Sequence, residues 1–285
     1  MKYVRFGEAG REKPGAIDAD GVIRDISSLV DDVTADAIAS GALDGITHAG
    51  LAGLPAVEQG LRLGMPFTGT RKFLGIGLNY HDHAREIGAE APAEPILFMK
   101  AVSSLSGPND PVVLPPDSLK SDWEVELGVV IGKRVRNITA EQALDAVFGY
   151  CLVNDISERA WQMERGGTWD KGKGWDSFGP IGPWLVSRDE VTDPQTLDIW
   201  LELNGERMQS GNTADMIFDV RTLVSYLSQF MTLEPGDIIT TGTPAGVGMG
   251  SKPQRFLKAG DIMTLGLAGL GEQRQEVQAY RPDEA

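Results

Sequence analysis

Alternating hydrophobic and polar positions recur along this chain and predict β-rich segments at both of its ends. The alternation is clear at residues 3–6 and 197–203, because successive side chains of a strand point to opposite faces of a sheet. Residues 18–21, Asp-Ala-Asp-Gly, form a hairpin signal, and Asn204-Gly205 turns the later strand in the same way. Apolar runs predict further, more deeply buried strands at residues 72–80, 124–131, 148–155, 238–241, 262–267 and 276–280.

Helical signals are short and lie between these strands. Thr34 and Thr139 are placed to cap helices, and Gly88 is placed to end one. Together with the periodicity of apolar residues, these signals predict helices over residues 34–39, 81–88, 140–146, 157–164 and 218–230.

The composition changes at residues 66–69, Pro-Phe-Thr-Gly, and this change predicts a domain boundary. We expect a small β-rich N-terminal domain over residues 1–68 and a larger catalytic domain over residues 69–285. A chain of 285 residues has enough material to bury a substantial core.

Charge and targeting signals exclude several classes of partner. The formal net charge is -15, from 26 Lys and Arg against 41 Asp and Glu, which opposes binding to nucleic acid or anionic membranes. The chain opens without an apolar signal region and has no run of about 18 apolar residues. We therefore expect a soluble, cytoplasmic protein. Cys151, the single cysteine, lies in an apolar run and is expected to be a core residue.

An acidic strand is the first candidate for chemistry. Glu124 and Glu126 alternate with Val125 and so project from one face of the strand. Asp155 ends a second apolar run and adds a third oxygen donor. Three such donors suit Mg²⁺, Mn²⁺ or Ca²⁺, and the scarcity of His and Cys disfavours zinc. Taken by itself, such a glutamate pair more often belongs to a solvated strand face.

A histidine and a glutamate at helical spacing form the second candidate. His83 and Glu86 lie on one face of the predicted helix, where the carboxylate orients the imidazole as a general base. An exposed polar pair has the same spacing, and a role for His81 stays open. The loop over residues 89–95 has the composition of a movable lid.

Candidates for contacting a substrate follow along the chain. Arg159 and Gln162 are three apart on a predicted helix face, and Lys171 and Lys173 lie in a loop over residues 166–176, where they are candidates for stabilising an anion. The small-residue loop after residue 241, which includes Thr243, offers hydroxyl and backbone N–H groups to a carboxylate. Gly75 and Gly77 are too few glycines for a dinucleotide fingerprint and indicate close packing instead.

Five motifs in order resemble the fumarylacetoacetate hydrolase family across most of residues 70–280. They are Asn79-Tyr80 with His83 and Glu86; Trp123-Glu124-Val125-Glu126-Leu127; Asn154-Asp155 with Arg159 and Gln162; Gly172-Lys173-Gly174 before Phe178-Gly179-Pro180; and the run Thr241-Gly242-Thr243-Pro244-Ala245-Gly246-Val247-Gly248.

The resemblance implies the fold, the metal and the assembly. The expected fold is α+β, mainly β, with the family's mixed β-roll as the catalytic domain. The resemblance implies Mg²⁺, with Mn²⁺ as the other candidate, held by Glu124, Glu126 and Asp155. It also implies a homodimer or a dimer-based oligomer.

The resemblance further implies a hydrolase acting on a carbon–carbon bond. His83, oriented by Glu86, takes a proton from the water that attacks C4 of a small-molecule 2,4-diketo acid. Lys173, together with Gln162, stabilises the resulting oxyanion, and Arg159 and Thr243 hold the polar ends of the substrate. Cleavage between C3 and C4 yields pyruvate and a carboxylic acid.

The N-terminal segment resembles sugar-acid members of the family, through residues 3–7 and Lys13-Pro14-Gly15. This makes L-2,4-diketo-3-deoxyrhamnonate, cleaved to pyruvate and L-lactate in L-rhamnose metabolism, the expected substrate. Two alternatives stay open. One is isomerisation or decarboxylation of a ring-cleavage product of the homoprotocatechuate type. The other is a protein that binds a small acid without catalysis.

Overall fold

The computed structural model describes residues 1–282 and is richer in strand, at 34%, than in helix, at 20%. This confirms the expected α+β class, mainly β. The last three residues of the predicted catalytic domain, 283–285, lie outside the described part. In chain order the strands are β1 (Lys2–Phe6), β2 (Lys13–Ile17), β3 (Ile23–Asp25), β4 (Phe73–Gly77), β5 (Ile96–Lys100), β6 (Leu105–Ser106), β7 (Val112–Leu114), β8 (Ser121–Asp122), β9 (Val125–Ile131), β10 (Val147–Asn154), β11 (Ser157–Glu158), β12 (Gly179–Ser187), β13 (Asp198–Leu203), β14 (Glu206–Asn212), β15 (Ile238–Thr240), β16 (Ile262–Leu267) and β17 (Gly271–Ala279).

The helices are short, apart from the last one, and they connect strands. They are α1 (Ala35–Ser40), α2 (His48–Leu51), α3 (His81–Ile87), α4 (Ala140–Ala143), α5 (Arg159–Met163), α6 (Asp170–Lys173) and α7 (Val220–Phe230). The predicted caps are present at the start of α1 and at the end of α3. Thr34 accepts a hydrogen bond from the Ala37 N–H at the start of α1, and Gly88 ends α3 in the left-handed conformation that glycine adopts without strain. No helix in the described part is long and apolar enough to span a membrane.

A ten-stranded sheet organises the molecule, with the strand order β3-β2-β1-β12-β10-β9-β15-β4-β5 and β6 paired to β12. Strand β9 runs antiparallel to both β10 and β15, and β15 runs parallel to β4. The beginning of β9 and the ends of β10, β15 and β4 therefore meet at one edge of this sheet. Each of these strands continues into a segment that carries a candidate site residue.

A second sheet of five strands, in the order β14-β13-β16-β17-β7, packs against the first. The main hydrophobic core lies between the two sheets and includes Leu127 and Leu201. Trp123, just before β9, is buried in the same core. This core holds the edge of the large sheet rigidly, because closely packed interiors resist displacement.

The N-terminal strands extend the large sheet, since β1 pairs with β12. The hairpin predicted at residues 18–21 joins β2 to β3, as expected. A separate apolar cluster, including Ile26 and Leu51, covers the large sheet from the N-terminal side. The boundary placed between residues 68 and 69 remains a prediction.

The start of one predicted helix and the assignment of one loop were wrong. The helix expected over residues 157–164 begins only at Arg159, because β11 pairs with β8 at its start. An irregular loop was expected over residues 166–176, but this segment contains α6. The helix is held in place by a hydrogen bond from the Met99 N–H to the Asp170 carboxylate. In both places, contacts to distant strands outweigh local propensity.

Candidate active site

Three carboxylates converge where β9 begins and β10 ends. Val125 pairs with Asn154 across the two strands, so that the residues just outside that pair, Glu124 and Asp155, lie side by side. The N–H of Asp155 donates to the Glu124 carbonyl at 2.8 Å. With Glu126, these side chains offer one oxygen each within 4.8 Å of one another, and all three are buried. The sequence prediction that Glu124 and Glu126 share one face is confirmed.

Two lysines lie inside this acidic group. The Nζ of Lys173 donates to Glu124 Oε2 at 2.6 Å and to Asp155 Oδ2 at 2.7 Å. The Nζ of Lys100 donates to Asp155 Oδ1 at 2.6 Å and also to the carbonyl of Lys173. Lys100 therefore fixes both a carboxylate and the segment that carries the second lysine.

Arg159 connects the acidic group to its surroundings. Its Nε and Nη2 atoms contact Asp122 Oδ2 at 2.9 Å, and Nη2 also contacts Glu124 Oε1 at 2.7 Å. Its Nη1 donates to Gln162 Oε1 at 3.0 Å, which leaves the amide nitrogen of Gln162 as the donor available to a ligand. Asp122 in turn accepts the N–H groups of Gly248 and Met249.

The two glutamates are held in different electrostatic environments. Burial by itself raises the pKa of Glu124, but the adjacent cations of Arg159 and Lys173 lower that pKa below its ordinary value. Burial raises the pKa of Glu126 well above its ordinary value, and the carboxylates of Asp155 and Glu124 raise it further. Glu126 is therefore the carboxylate that most requires an additional cation in order to ionise.

A divalent metal fits this donor set. Three buried carboxylates from two neighbouring strands provide hard oxygen ligands in a space too small for three uncompensated charges. The ammonium of Lys173 already occupies a cationic position between two of them. Both hydrogen bonds to Glu126 within the described residues, from the Thr240 hydroxyl and the Gly242 N–H, go to Oε2, and they orient the carboxylate.

The histidine predicted as a base is held by its expected partner. His83 Nδ1 lies 2.9 Å from Glu86 Oε2, and Glu86 Oε1 accepts the Gly246 N–H at 2.9 Å. With the Nδ1 proton donated to the carboxylate, Nε2 carries the lone pair needed to accept a proton. His83 is buried, whereas His81 is exposed. The general-base role itself remains a prediction.

One pocket brings most of the predicted residues together. It has a volume of about 140 Å³, and its lining includes His83, Glu124, Glu126, Arg159, Gln162, Lys173 and Thr243. The Thr243 hydroxyl donates to the Val125 carbonyl and accepts from Gln209, so that it secures the loop after β15. Lys171 is exposed, donates to the Arg165 carbonyl and does not line the pocket.

Three polar residues of the site were missed from the sequence. Lys100 ends an apolar strand and gave no local signal, because its partner lies 55 positions away. Asp122 lies two residues before Glu124, and Thr240 lies in a predicted strand; neither was predicted as a site residue. A lysine or aspartate next to a buried apolar run is the one signal that points to a buried ion pair.

Comparison with known proteins places the chain in a family. Residues 72–278 match the sequence profile described as "Fumarylacetoacetate (FAA) hydrolase C-terminal". The chain belongs to the fumarylacetoacetate hydrolase family. A relative from Burkholderia lata, which carries a provisional hydrolase name, is 56% identical over 282 residues, covering 99% of this chain and all of that protein.

Solved structures of this family share the fold along almost the whole chain. Fumarylacetoacetate hydrolase from Exiguobacterium antarcticum is 37% identical, with a TM-score of 0.89, over 98% of this chain and 100% of that one. Maleylpyruvate hydrolase from Sphingobium sp. SYK-6, in complex with manganese(II) and pyruvate, is 32% identical, with a TM-score of 0.82, over 99% and 100%. 5-Carboxymethyl-2-hydroxymuconate delta-isomerase from Mycobacterium smegmatis is 30% identical, with a TM-score of 0.78, over the same shares.

Proposed function

We propose that this protein is a hydrolase that cleaves the C3–C4 bond of a 2,4-diketo acid and releases pyruvate and a carboxylic acid. One observation carries the proposal: His83, which is held by Glu86, lines the same pocket as two of the three clustered carboxylates, those of Glu124 and Glu126. A base for activating water thus lies beside a site for a divalent ion, Mg²⁺ or Mn²⁺. The similarity to a maleylpyruvate hydrolase that binds manganese and pyruvate supports it.

The dyad supplies the nucleophile. His83 Nε2 accepts a proton from water as the water oxygen attacks the C4 carbonyl, and Glu86 stabilises the imidazolium that results. When the C3–C4 bond breaks, its electron pair leaves with the fragment that contains C1 to C3. That fragment takes up a proton at C3 and becomes pyruvate, and C4 becomes the carbon of the released acid.

The cations of the site stabilise the charge that develops. Lys173 and the free amide nitrogen of Gln162 line the pocket and donate to the oxyanion at C4. A divalent ion held by Glu124, Glu126 and Asp155 would, when bound, supply a Lewis acid for the substrate oxygens. We assign Arg159 a positioning role, because its guanidinium is already shared among Asp122, Glu124 and Gln162.

The substrate expected from the N-terminal sequence falls within this class. In L-2,4-diketo-3-deoxyrhamnonate the acyl part carries one hydroxyl and one methyl group beyond C4, and hydrolysis yields L-lactate with pyruvate. It is accordingly the first sugar acid to be tested. We also propose a homodimer, for which light scattering should give twice the chain mass of 30.7 kDa.

A second reaction has one observation in its favour, the similarity to the isomerase from Mycobacterium smegmatis. Isomerisation or decarboxylation uses the same metal site but no attacking water. Isomerisation also uses a base to move a proton, so the His83–Glu86 pair fits both reactions, and hydrolysis is the favoured proposal because of the similarity to the maleylpyruvate hydrolase. A binding protein without catalysis is the third possibility that the assay must distinguish.

The deciding experiment is a pyruvate-release assay on a panel of acylpyruvates. The enzyme is treated with EDTA, and Mg²⁺ or Mn²⁺ is then restored. We expect pyruvate and one equivalent of carboxylic acid only when the metal is present. Loss of substrate without pyruvate would replace hydrolysis by isomerisation or decarboxylation, and unchanged substrate throughout would leave only the binding protein.

A further inference from the structure

Two glycines of β4 make room for an aromatic wall beside the pocket. A Cβ atom at Gly75 would lie 2.2 Å from the ring of Phe98, and one at Gly77 would lie 2.2 Å from the ring of Trp169. The two rings contact each other, with centroids 5.6 Å apart. Since alternate residues of a strand face the same side, this pair of glycines seats both rings on one face of β4. This explains the Gly-x-Gly pattern, which had no role in binding a dinucleotide.

The wall lies next to the catalytic cation. The Nζ of Lys173 is 4.8 Å from the centroid of the Phe98 ring, and both aromatic residues line the pocket. A substrate whose C4 oxygen is near Lys173 therefore extends its acyl group along the two rings. The remainder of this side is also apolar, with Leu78, Ile96, Ile87 and Met163 in the lining.

Among the residues that the structure describes, no free positive charge faces the acyl side. In the described part of the chain, the lysine and the arginine that line the pocket, Lys173 and Arg159, are both paired with carboxylates. At the mouth of the pocket the large side chains Ile87 and Met163 are 40% and 55% exposed. A second carboxylate, or a hydroxyl, on the acyl group would lose its hydration without gaining a partner.

We propose that the acyl group accepted by this enzyme is uncharged and apolar, and that Phe98, Trp169 and the apolar mouth select it. The preferred substrates are aliphatic acylpyruvates, in contrast to dicarboxylic acids and to the hydroxylated sugar acid expected from the N-terminal sequence. The inference rests on the proposed acylpyruvate chemistry and adds to it the nature of the group beyond C4.

Matched substrate pairs test the inference directly. The first pair, 2,4-dioxohexanoate and its 5-hydroxy derivative L-2,4-diketo-3-deoxyrhamnonate, differs by one hydroxyl. The second, 2,4-dioxoheptanoate and 2,4-dioxoheptanedioate, differs by a terminal carboxylate. We expect kcat/KM to fall about 10-fold or more in the first pair and about 100-fold in the second, because each added polar group is buried unpaired. Equal or inverted preference in both pairs would overturn the inference.

A charge placed at the mouth should change the preference. Met163→Arg supplies the missing cation on an exposed side chain, and we expect about a fivefold gain in kcat/KM for 2,4-dioxoheptanedioate, with 2,4-dioxoheptanoate little changed. Met99→Arg is the matched control, since Met99 is 42% exposed and does not line the pocket. An equal gain in both variants would show a general effect of charge and contradict the role given to the apolar mouth of the pocket.

Measurements of binding affinity test this inference independently of the proposed function. If the wild type releases no pyruvate from any compound, the proposed function fails, and the selectivity is then decided by calorimetric affinities for the same four compounds. The measurement is repeated with His83→Gln, in which turnover is removed and the acyl side is intact. Tighter binding of the apolar member of each pair would uphold the inference, and the reverse order would reject it.

Discussion

Lys173 shows how single residues set the chemistry of this site. Burial by itself lowers the pKa of Lys173, but the neighbouring carboxylates of Asp155 and Glu124 outweigh burial and raise it. The side chain therefore stays protonated and acts as a hydrogen-bond donor. Lys100 has the opposite balance, because burial dominates and lowers its pKa despite the attraction of Asp155. Two lysines with the same partner thus have different electrostatic roles.

Replacing Lys173 should separate catalysis from metal binding. For Lys173→Met we expect a loss of at least about 100-fold in kcat, because the proposed donor to the oxyanion is removed. We expect divalent-metal affinity to be kept or increased, since the ammonium between Glu124 and Asp155 is gone. Calorimetry with Mn²⁺ measures the affinity. Lys171→Met is the matched control on the exposed side of α6 and should keep full activity.

Replacing the two histidines of α3 should have very different effects on activity. His83→Gln removes the atom that we propose accepts the proton from water, so we expect a loss of about 100-fold or more in pyruvate release. Metal-dependent stabilisation should remain, because His83 is not one of the three carboxylate ligands proposed. His81→Gln changes an exposed side chain, and we expect activity close to that of the wild type. Full turnover by the His83 variant would disprove the assigned base.

At the scale of elements, the site depends on close pairing within the large sheet. Strand β10 lies between β9 and β12, and its register shifts between Val147 and Gly149 on one side and between Tyr150 and Leu152 on the other. These irregularities bend the strand while its far end delivers Asp155 to the site. Gly149 is a position at which the backbone of β12 approaches β10 closely.

A methyl group at Gly149 should separate β10 from β12. The Cβ atom of Gly149→Ala would lie 2.1 Å from the Val186 carbonyl oxygen, so that backbone must move. We expect a loss of about 3 kcal/mol in the free energy of unfolding, measured by urea denaturation. Gly45→Ala is the control, because a Cβ there meets no atom within 4 Å. It should change stability by less than about 0.5 kcal/mol.

At the scale of the whole molecule, the proposed metal site exists only when the chain is folded. The carboxylates that would hold the ion come from β10 and from the start of β9, and they are brought together only in the folded chain. A ligand that binds only the native state stabilises it by mass action. Burial, together with the repulsion from Asp155 and Glu124, raises the pKa of Glu126, and a bound cation would offset both effects.

The temperature of thermal unfolding should rise when the metal binds. Restoring Mn²⁺ to EDTA-treated protein, at about 100 times its Kd, adds about 2.7 kcal/mol, which corresponds to a rise in Tm of about 5 °C or more. Glu124→Gln should abolish this rise, whereas Glu272→Gln, on an exposed part of β17, should retain it. An unchanged rise in the Glu124 variant would show that the ion binds elsewhere.

Much of the site could be predicted because its signals are local. His83 and Glu86 lie three residues apart, which fixes their proximity once a helix forms, and Glu124 and Glu126 share a face by the alternation of any strand. The resemblance to a family then linked these pairs to Asp155 and Lys173. The short helix α6 was not predicted, because the contact between Asp170 and Met99 that stabilises it joins residues far apart in the chain.

The sequence by itself determined the β-rich class, the hairpins, the capped helices and the acidic and histidine pairs, because these depend on neighbours within a few positions. Only the tertiary structure decided that β4, β9, β10 and β15 meet at one edge, that Lys100 joins Asp155, and that two aromatic rings rest on Gly75 and Gly77. These contacts join residues far apart in the chain. Strand order and side-chain packing, which local pattern does not encode, bring them together.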